Sequence, residues 1–213
     1  MILESFPVGP IQANCVLVGD AEAGELVVID PGEEADRILE RIAATACRCT
    51  MVLHTHGHLD HAGGTAALVA GLAPGTPIGL HRDEAELYRN LPMQGRMFGL
   101  EVEPPPDPTL WLEHGQKLAV GPLELEIRHT PGHSPGGVCF VVHGGTEPIA
   151  VVGDVIFNGS IGRTDLWGGS FDILERSIRD QLYTLPAETR LITGHGPETT
   201  VAHERATNPF VSG

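Results

Sequence analysis

The segment Thr55-His56-Gly57-His58-Leu59-Asp60-His61 places three imidazoles and a carboxylate within six residues. Both side-chain types bind divalent transition metals. His56 and His58 are two positions apart, so in an extended segment they point to the same side. Asp60 and His61 follow at a turn and are aimed by different backbone geometry. Four donors can therefore address two neighbouring points in space. Asp60 alone would also suit the cap of a following helix. Three histidines and an aspartate at this spacing exceed what capping needs, and the segment reads as metal-binding.

Three later positions share this character. His133 stands at the apex of Thr130-Pro131-Gly132-His133-Ser134-Pro135-Gly136, Asp154 follows Gly153 at the end of an apolar run, and His195 lies between Gly194 and Gly196. Glycine beside each candidate lets the backbone approach closely. Taken singly, Asp154 or His195 could be a turn residue. Taken together, the polar residue always falls where a strand stops, which favours one shared site. Asp30 and the threonines preceding the candidates can serve imidazole N–H groups or simply cap turns. His54 reads as packing beside the site. His81, His114, His129, His143 and His203 lack glycine flanks and a ligand partner, and read as ordinary surface or strand histidines.

The elements that must position these groups follow from apolar spacing and turn residues. Strands are expected at Val16–Val18, Leu26–Ile29, Thr50–His54, Pro77–Leu80, Leu123–Arg128, Val138–Val142, Ile149–Val152 and Arg190–Thr193. Helices are expected at Ala35–Ala44, Ala62–Leu72, Asp83–Leu91, Phe171–Leu182 and Val201–Ala206. The stretch Pro92–Pro108 carries Gly95, Gly99 and three consecutive prolines, and reads as a long loop or lid. Strands come in adjacent groups with a helix after each group. That order suits an α+β, four-layer αββα sandwich better than strict βαβ alternation. The length of 213 residues, without a repeat or low-complexity tract, fits one domain over 1–213.

Composition narrows the partners. Thirteen Lys and Arg face 28 Asp and Glu, a formal net charge of −15. This charge argues against nucleic acid and against an anionic membrane surface. Four cysteines include one close pair, Cys47 and Cys49, with no second pair to complete a thiolate zinc site. Unpaired thiols, no leader pattern and no apolar run of about 18 residues point to the cytoplasm.

These motifs resemble the metallo-β-lactamase-fold hydrolases, and specifically the short glyoxalase II-type, hydroxyacylglutathione hydrolase-like subgroup. The resemblance is carried by His56-Gly57-His58-Leu59-Asp60-His61, Thr130-Pro131-Gly132-His133, Gly153-Asp154, Gly162-Arg163-Thr164-Asp165 and Gly194-His195-Gly196-Pro197. It extends from Asn14-Cys15 and Asp30-Pro31-Gly32 to Asn208-Pro209-Phe210, nearly the whole chain. It implies a dinuclear centre with His56, His58 and His133 on one metal and Asp60, His61 and His195 on the other. Asp154 would bridge them. Imidazole and carboxylate suit zinc, and also iron or manganese. Two divalent ions would leave the site at about +1 inside an acidic protein, able to hold a small anionic substrate.

The reaction so implied is thioester hydrolysis by a metal-bridging hydroxide that Asp60 helps to orient, with S-lactoylglutathione as the leading substrate. Arg163 is the expected contact for a substrate carboxylate, unless it pairs internally with Asp165 or another acid, and Asn158 lies in the same segment. The longer glyoxalase II enzymes continue into a helical domain that helps hold glutathione, whereas 18 residues follow His195 here. The rival reactions are those of a mononuclear-iron persulfide dioxygenase using the positions of His56, His133 and Asp154, and of a β-lactamase. A nuclease of the same fold would need a basic surface, and a non-enzymatic metal-binding module should have lost ligand positions.

Overall fold

A computed structural model describes residues 1–213. The first half of the chain builds one six-stranded sheet in the order β1 (Ile2–Val8), β2 (Ala13–Asp20), β3 (Glu25–Ile29), β4 (Arg48–Leu53), β5 (Ile78–His81) and β6 (Leu110–Leu112). The first three strands pair antiparallel, and the last three add in parallel through helical crossovers. The second half builds the other sheet from β7 (Lys117–Val120), β8 (Leu123–His129), β9 (Val138–His143) and β10 (Ile149–Gly153). It continues, past a small hairpin of β11 (Ile156–Phe157) and β12 (Ser160–Ile161), with β13 (Arg190–Thr193) and β14 (Thr199–Thr200). Strand β13 inserts parallel beside β10.

Alternation along the strands creates three apolar layers. Val16, Val27 and Leu53 of the first sheet meet Leu125, Phe140 and Val151 of the second in the central core. The outer face of the first sheet, with Leu17, Leu26 and Val52, is covered by Ile38 and Ile42 of α1 (Ala35–Thr45) and by Leu68. The outer face of the second, with Val141, Ala150 and Leu191, is covered by Leu174 and Val201 from two C-terminal helices. The expected four-layer αββα arrangement is therefore present, each layer held by burial worth roughly 1.5–3 kcal/mol per large side chain.

Two expectations need correction. The helix expected over Ala62–Leu72 is two pieces, α2 (Leu59–Ala62) and α3 (Thr65–Ala70). The break falls at Gly63-Gly64, where a Cβ would run into the Leu59 and Pro31 carbonyl oxygens. The stretch expected to be a loop from Pro92 begins as helix instead. After α4 (Ala85–Arg89), α5 spans Leu91–Met97 with Pro92 in its first turn, where proline's missing N–H costs nothing. Strands β1, β6, β7, β11, β12 and β14 were not expected. Each is short or irregular in its apolar alternation, and β1 carries Pro7 at a sheet edge. The last two helices are α6 (Phe171–Ser177), which runs on as a π-helical turn to Leu182, and α7 (Val201–Thr207).

No helix is long and apolar enough to cross a membrane.

Candidate metal centre

Every proposed ligand lies at or just past the carboxyl end of a strand, and the two sheets bring those ends together. His56 and His58 follow β4 in extended backbone, and α2 starts directly afterwards, so Asp60 and His61 sit in its first turn. His133 stands on the turn between β8 and β9, Asp154 follows β10, and His195 follows β13. The sheets are stitched beside the site. Val138 N–H donates to the Thr55 carbonyl at 2.8 Å and Asn14 N–H to the Gly194 carbonyl at 2.7 Å. The Asn14 side chain also donates to the carbonyls of Thr193 and Gly196, which fixes the turn carrying His195.

The seven residues form two clusters joined by one carboxylate. In the first, His58 Nδ1 lies 3.0 Å from His133 Nε2, with the His56 ring 4.8 and 4.9 Å from those two rings, edge to face. In the second, Asp60 Oδ2 is 3.1 Å from His195 Nε2, and His61 Nε2 is 3.3 Å from His195 Nε2. Asp154 stands between them: Oδ1 is 3.3 Å from His61 Nε2, while Oδ2 is 3.6 Å from His133 Nε2 and 3.7 Å from His195 Nε2. A Cβ at Gly194 would collide with Asp154 Oδ1, so only glycine admits the bridging position.

The tautomers are set from behind. His61 Nδ1–H donates to Asp30 Oδ2 at 2.9 Å, and His133 Nδ1–H donates to the Arg163 carbonyl at 2.8 Å. Thr55 donates its hydroxyl to Asp30 Oδ2 at 2.6 Å and accepts from His56 Nδ1–H at 2.9 Å. In all three rings the Nε2 lone pair is thereby turned inward, the arrangement seen when imidazole binds metal. His56 Nε2 and Asp154 Oδ1 are buried with no hydrogen-bond partner, which costs roughly 1–3 kcal/mol per group unless a cation or donor meets each of them. This donor set fits two divalent cations.

Protonation agrees with the layout. Burial and the neighbouring imidazoles push His56 well below the usual histidine range, and burial with His133 pushes His58 down to about 4. Burial also opposes charge on His61, but Asp154, Asp60 and Asp30 outweigh it and raise its pKa. A cation entering there would displace a proton.

Two residues that sequence reasoning missed hold the ligand loops. Glu84, fully buried in a turn of 3-10 helix, accepts from Gly57 N–H at 2.7 Å and from Gly136 N–H at 2.6 Å. It joins the segment carrying His56 and His58 to the turn carrying His133. Gln94 of α5 accepts from Leu59 N–H at 3.0 Å and donates to the Gly57 carbonyl at 3.2 Å. In the sequence Glu84 looks like the polar face of an amphipathic helix and Gln94 like a residue of the expected loop, and only the structure shows them holding the ligand segments.

His54 is buried against Tyr88, as expected for packing beside the site. The expected substrate contacts are occupied within the chain: Arg163 makes a two-pronged ion pair with exposed Asp165 at 2.7 and 2.8 Å, and Asn158 donates to the Glu198 carbonyl.

A profile of the Metallo-beta-lactamase superfamily matches residues 8–195. Hydroxyacylglutathione hydrolase GloC of Haemophilus influenzae is 38% identical over 214 aligned positions, covering 100% of this chain and 99% of that one. The di-iron-bound form of TTHA1623 is 39% identical with a TM-score of 0.85, covering 96% of this chain and 98% of that one. The BLEG-1 B3 metallo-beta-lactamase is 32% identical with a TM-score of 0.90, covering 100% of both chains. With its αββα layers and paired His/Asp clusters, this chain belongs to the metallo-β-lactamase superfamily.

Proposed function

We propose that this metallo-hydrolase family member cleaves thioesters, with a hydroxyacylglutathione such as S-lactoylglutathione as its substrate. The observation that carries the reading is Asp154, whose Oδ1 faces His61 and whose Oδ2 lies between His133 of one cluster and His195 of the other. In this reading His56, His58 and His133 would hold one divalent ion, Asp60, His61 and His195 would hold the other, and Asp154 would contribute to both. When bound, the ions lower the pKa of water towards neutrality and polarise a carbonyl. Zinc fits the donors, and the di-iron form of TTHA1623 supports iron equally. Asp60, partly exposed beside His195, would accept a hydrogen bond from the attacking water and so orient it. No side chain serves as a covalent nucleophile, and the four cysteines are free.

The Haemophilus relative named hydroxyacylglutathione hydrolase, aligned end to end, supports the thioester assignment. For a substrate carboxylate to use Arg163, it would displace Asp165, and Asn158 would contribute from the neighbouring hairpin. Both partners in that ion pair are solvent-exposed, so the exchange costs little. The net charge of −15 supports a small anionic substrate drawn to the local charge of the ions, rather than nucleic acid or a membrane. Free thiols support action in a reducing cytoplasm, as a single catalytic domain.

The experiment is a substrate panel on metal-loaded protein: S-lactoylglutathione, other acyl thioesters, a chromogenic β-lactam, and glutathione persulfide at an oxygen electrode. Thioester turnover without oxygen uptake is expected. Oxygen consumption with the persulfide, or β-lactam cleavage in the absence of thioesterase activity, would overturn the assignment.

A further inference from the structure

Glu204 is a fully buried carboxylate that the metal centre does not use. It stands in the first turn of α7 with no exposed surface. A helix that only had to pack would carry an apolar residue there, as it does at buried Val201. A buried charge is tolerated when hydrogen bonds meet it, and three donors meet this one. Thr199 donates its hydroxyl at 2.5 Å, Asn208 its side-chain amide at 2.8 Å, and Gly159 its backbone N–H at 3.2 Å to each oxygen. The basic side chain near it, exposed His203, keeps Nε2 3.9 Å away, beyond hydrogen-bond reach.

These donors belong to the two segments that leave the metal centre. Gly159 turns the β11–β12 hairpin, which follows Asp154 and leads to Arg163, whose carbonyl orients His133. Thr199 starts β14, which pairs with β13 and follows the turn carrying His195. Asn208 adds a second tie by donating to the Ser160 carbonyl at 3.0 Å, while its own carbonyl accepts from Phe210 and Val211 N–H. The base of the hairpin is anchored by buried Ile156, so the tip is the part that needs a tether. Between base and tip the hairpin carries Phe157, whose ring lies 6.1 Å from that of His195 at 65°. Both rings are partly exposed.

We propose that Glu204 is a positioning residue for substrate: through Gly159 and Asn208 it fixes the hairpin so that Phe157 forms a rigid apolar wall beside His195. On the reading of His195 as a ligand beside which substrate binds, the apolar part of the substrate, such as the acyl carbons of a thioester, would rest on that wall. Glu204 then does for this side of the centre what Glu84 does for the other.

The test compares metal-loaded wild type with Glu204→Gln, Phe157→Ala and the double variant, on whichever substrate of the panel wild type turns over fastest. Glutamine puts an amide NH₂ against one of the three donors and so loosens the hairpin. Glu204→Gln should raise KM at least tenfold, with kcat within about threefold of wild type and bound metal unchanged. Phe157→Ala should do the same, and the double variant should be no worse than Phe157→Ala alone, since both act through one ring. Tyr183→Phe, which removes a buried hydrogen bond to the Val211 carbonyl in the same layer, should lower Tm without moving KM. An unchanged KM in Glu204→Gln, a loss of bound metal in its place, or KM effects that multiply in the double variant would overturn the proposal. Thr199→Val, of the same shape but without the hydroxyl donor, carries the same KM test if Glu204→Gln folds poorly. Amide hydrogen exchange over 156–161, measured without substrate, should be at least tenfold faster in Glu204→Gln, and unchanged exchange would show that the carboxylate does not hold the hairpin. Failure of the thioester assignment would leave this result standing, because the exchange needs no substrate and the kinetics follow whichever panel substrate is turned over.

Discussion

Asp30 Oδ2 lies 2.9 Å from His61 Nδ1 and 2.6 Å from the Thr55 hydroxyl, which in turn accepts from His56. One buried carboxylate therefore aims an imidazole in each cluster. Asp30 holds this place with φ of +55°, a left-handed conformation that aspartate tolerates better than most residues.

Asp30→Asn puts an amide NH₂ where two donors now point. Metal affinity should fall 10- to 100-fold, the usual result of losing a partner behind a ligand. Chelator competition with Zn²⁺ reads this directly. Wild-type affinity in the variant would show that Asp30 does not orient the histidines.

Glu84→Gln leaves one of the Gly57 and Gly136 N–H groups facing an amide donor. An unsatisfied buried donor costs roughly 1–3 kcal/mol. At about 2–4 °C per kcal/mol for a chain of this size, the metal-free protein should melt roughly 2–12 °C lower. Melting the metal-free form separates this effect from loss of bound ions. An unchanged Tm would remove Glu84 from the account of how the two loops are held.

Gly194 and Gly196 flank His195 but should respond differently to alanine. At Gly194 the new Cβ meets Asp154 Oδ1 and lies 2.9 Å from His61 Cε1, so Gly194→Ala should lose bound metal while its circular dichroism stays native. At Gly196 the space is open, and only the φ of +67° resists, at a cost of about 1–2 kcal/mol. Gly196→Ala should keep its metal and merely melt lower. Equal metal content in both variants would contradict the steric account.

Burial raises the Cys15 thiol well above its usual range, Cys49 to about 11 and Cys139 to about 12. A raised thiol pKa leaves the neutral, unreactive form dominant at pH 8. Only Cys47 is partly exposed. Iodoacetamide at pH 8 should therefore label Cys47 first in the native chain and all four cysteines after unfolding. Rapid native labelling of Cys15 or Cys139 would show that the apolar layers open readily.

The seven residues that meet at the centre were legible because their chemistry is local: His56 to His61 lie on one strand-to-helix turn, and glycine marks the approach at Asp154 and His195. Strand β8 was legible from alternation, and β9 and β10 from unbroken apolar runs. Glu84 was not, since a buried carboxylate clamping two loops and a surface glutamate on an amphipathic helix have the same sequence signature, and Gln94 was not, since it lies in the stretch that read as a loop. The pairing of Arg163 with Asp165 was one of two readings the sequence left open, and the structure shows that pair. Helix α5 was hidden because Pro92 breaks a helix in most positions but not in the first turn.

The most direct measurement adds Zn²⁺ or Fe²⁺ stepwise to metal-free protein and follows S-lactoylglutathione hydrolysis against ions bound per chain. If Asp154 joins two working clusters, turnover should stay low through the first equivalent and reach its plateau at the second. Full turnover at one bound ion, or none at two, would contradict the dinuclear thioesterase account.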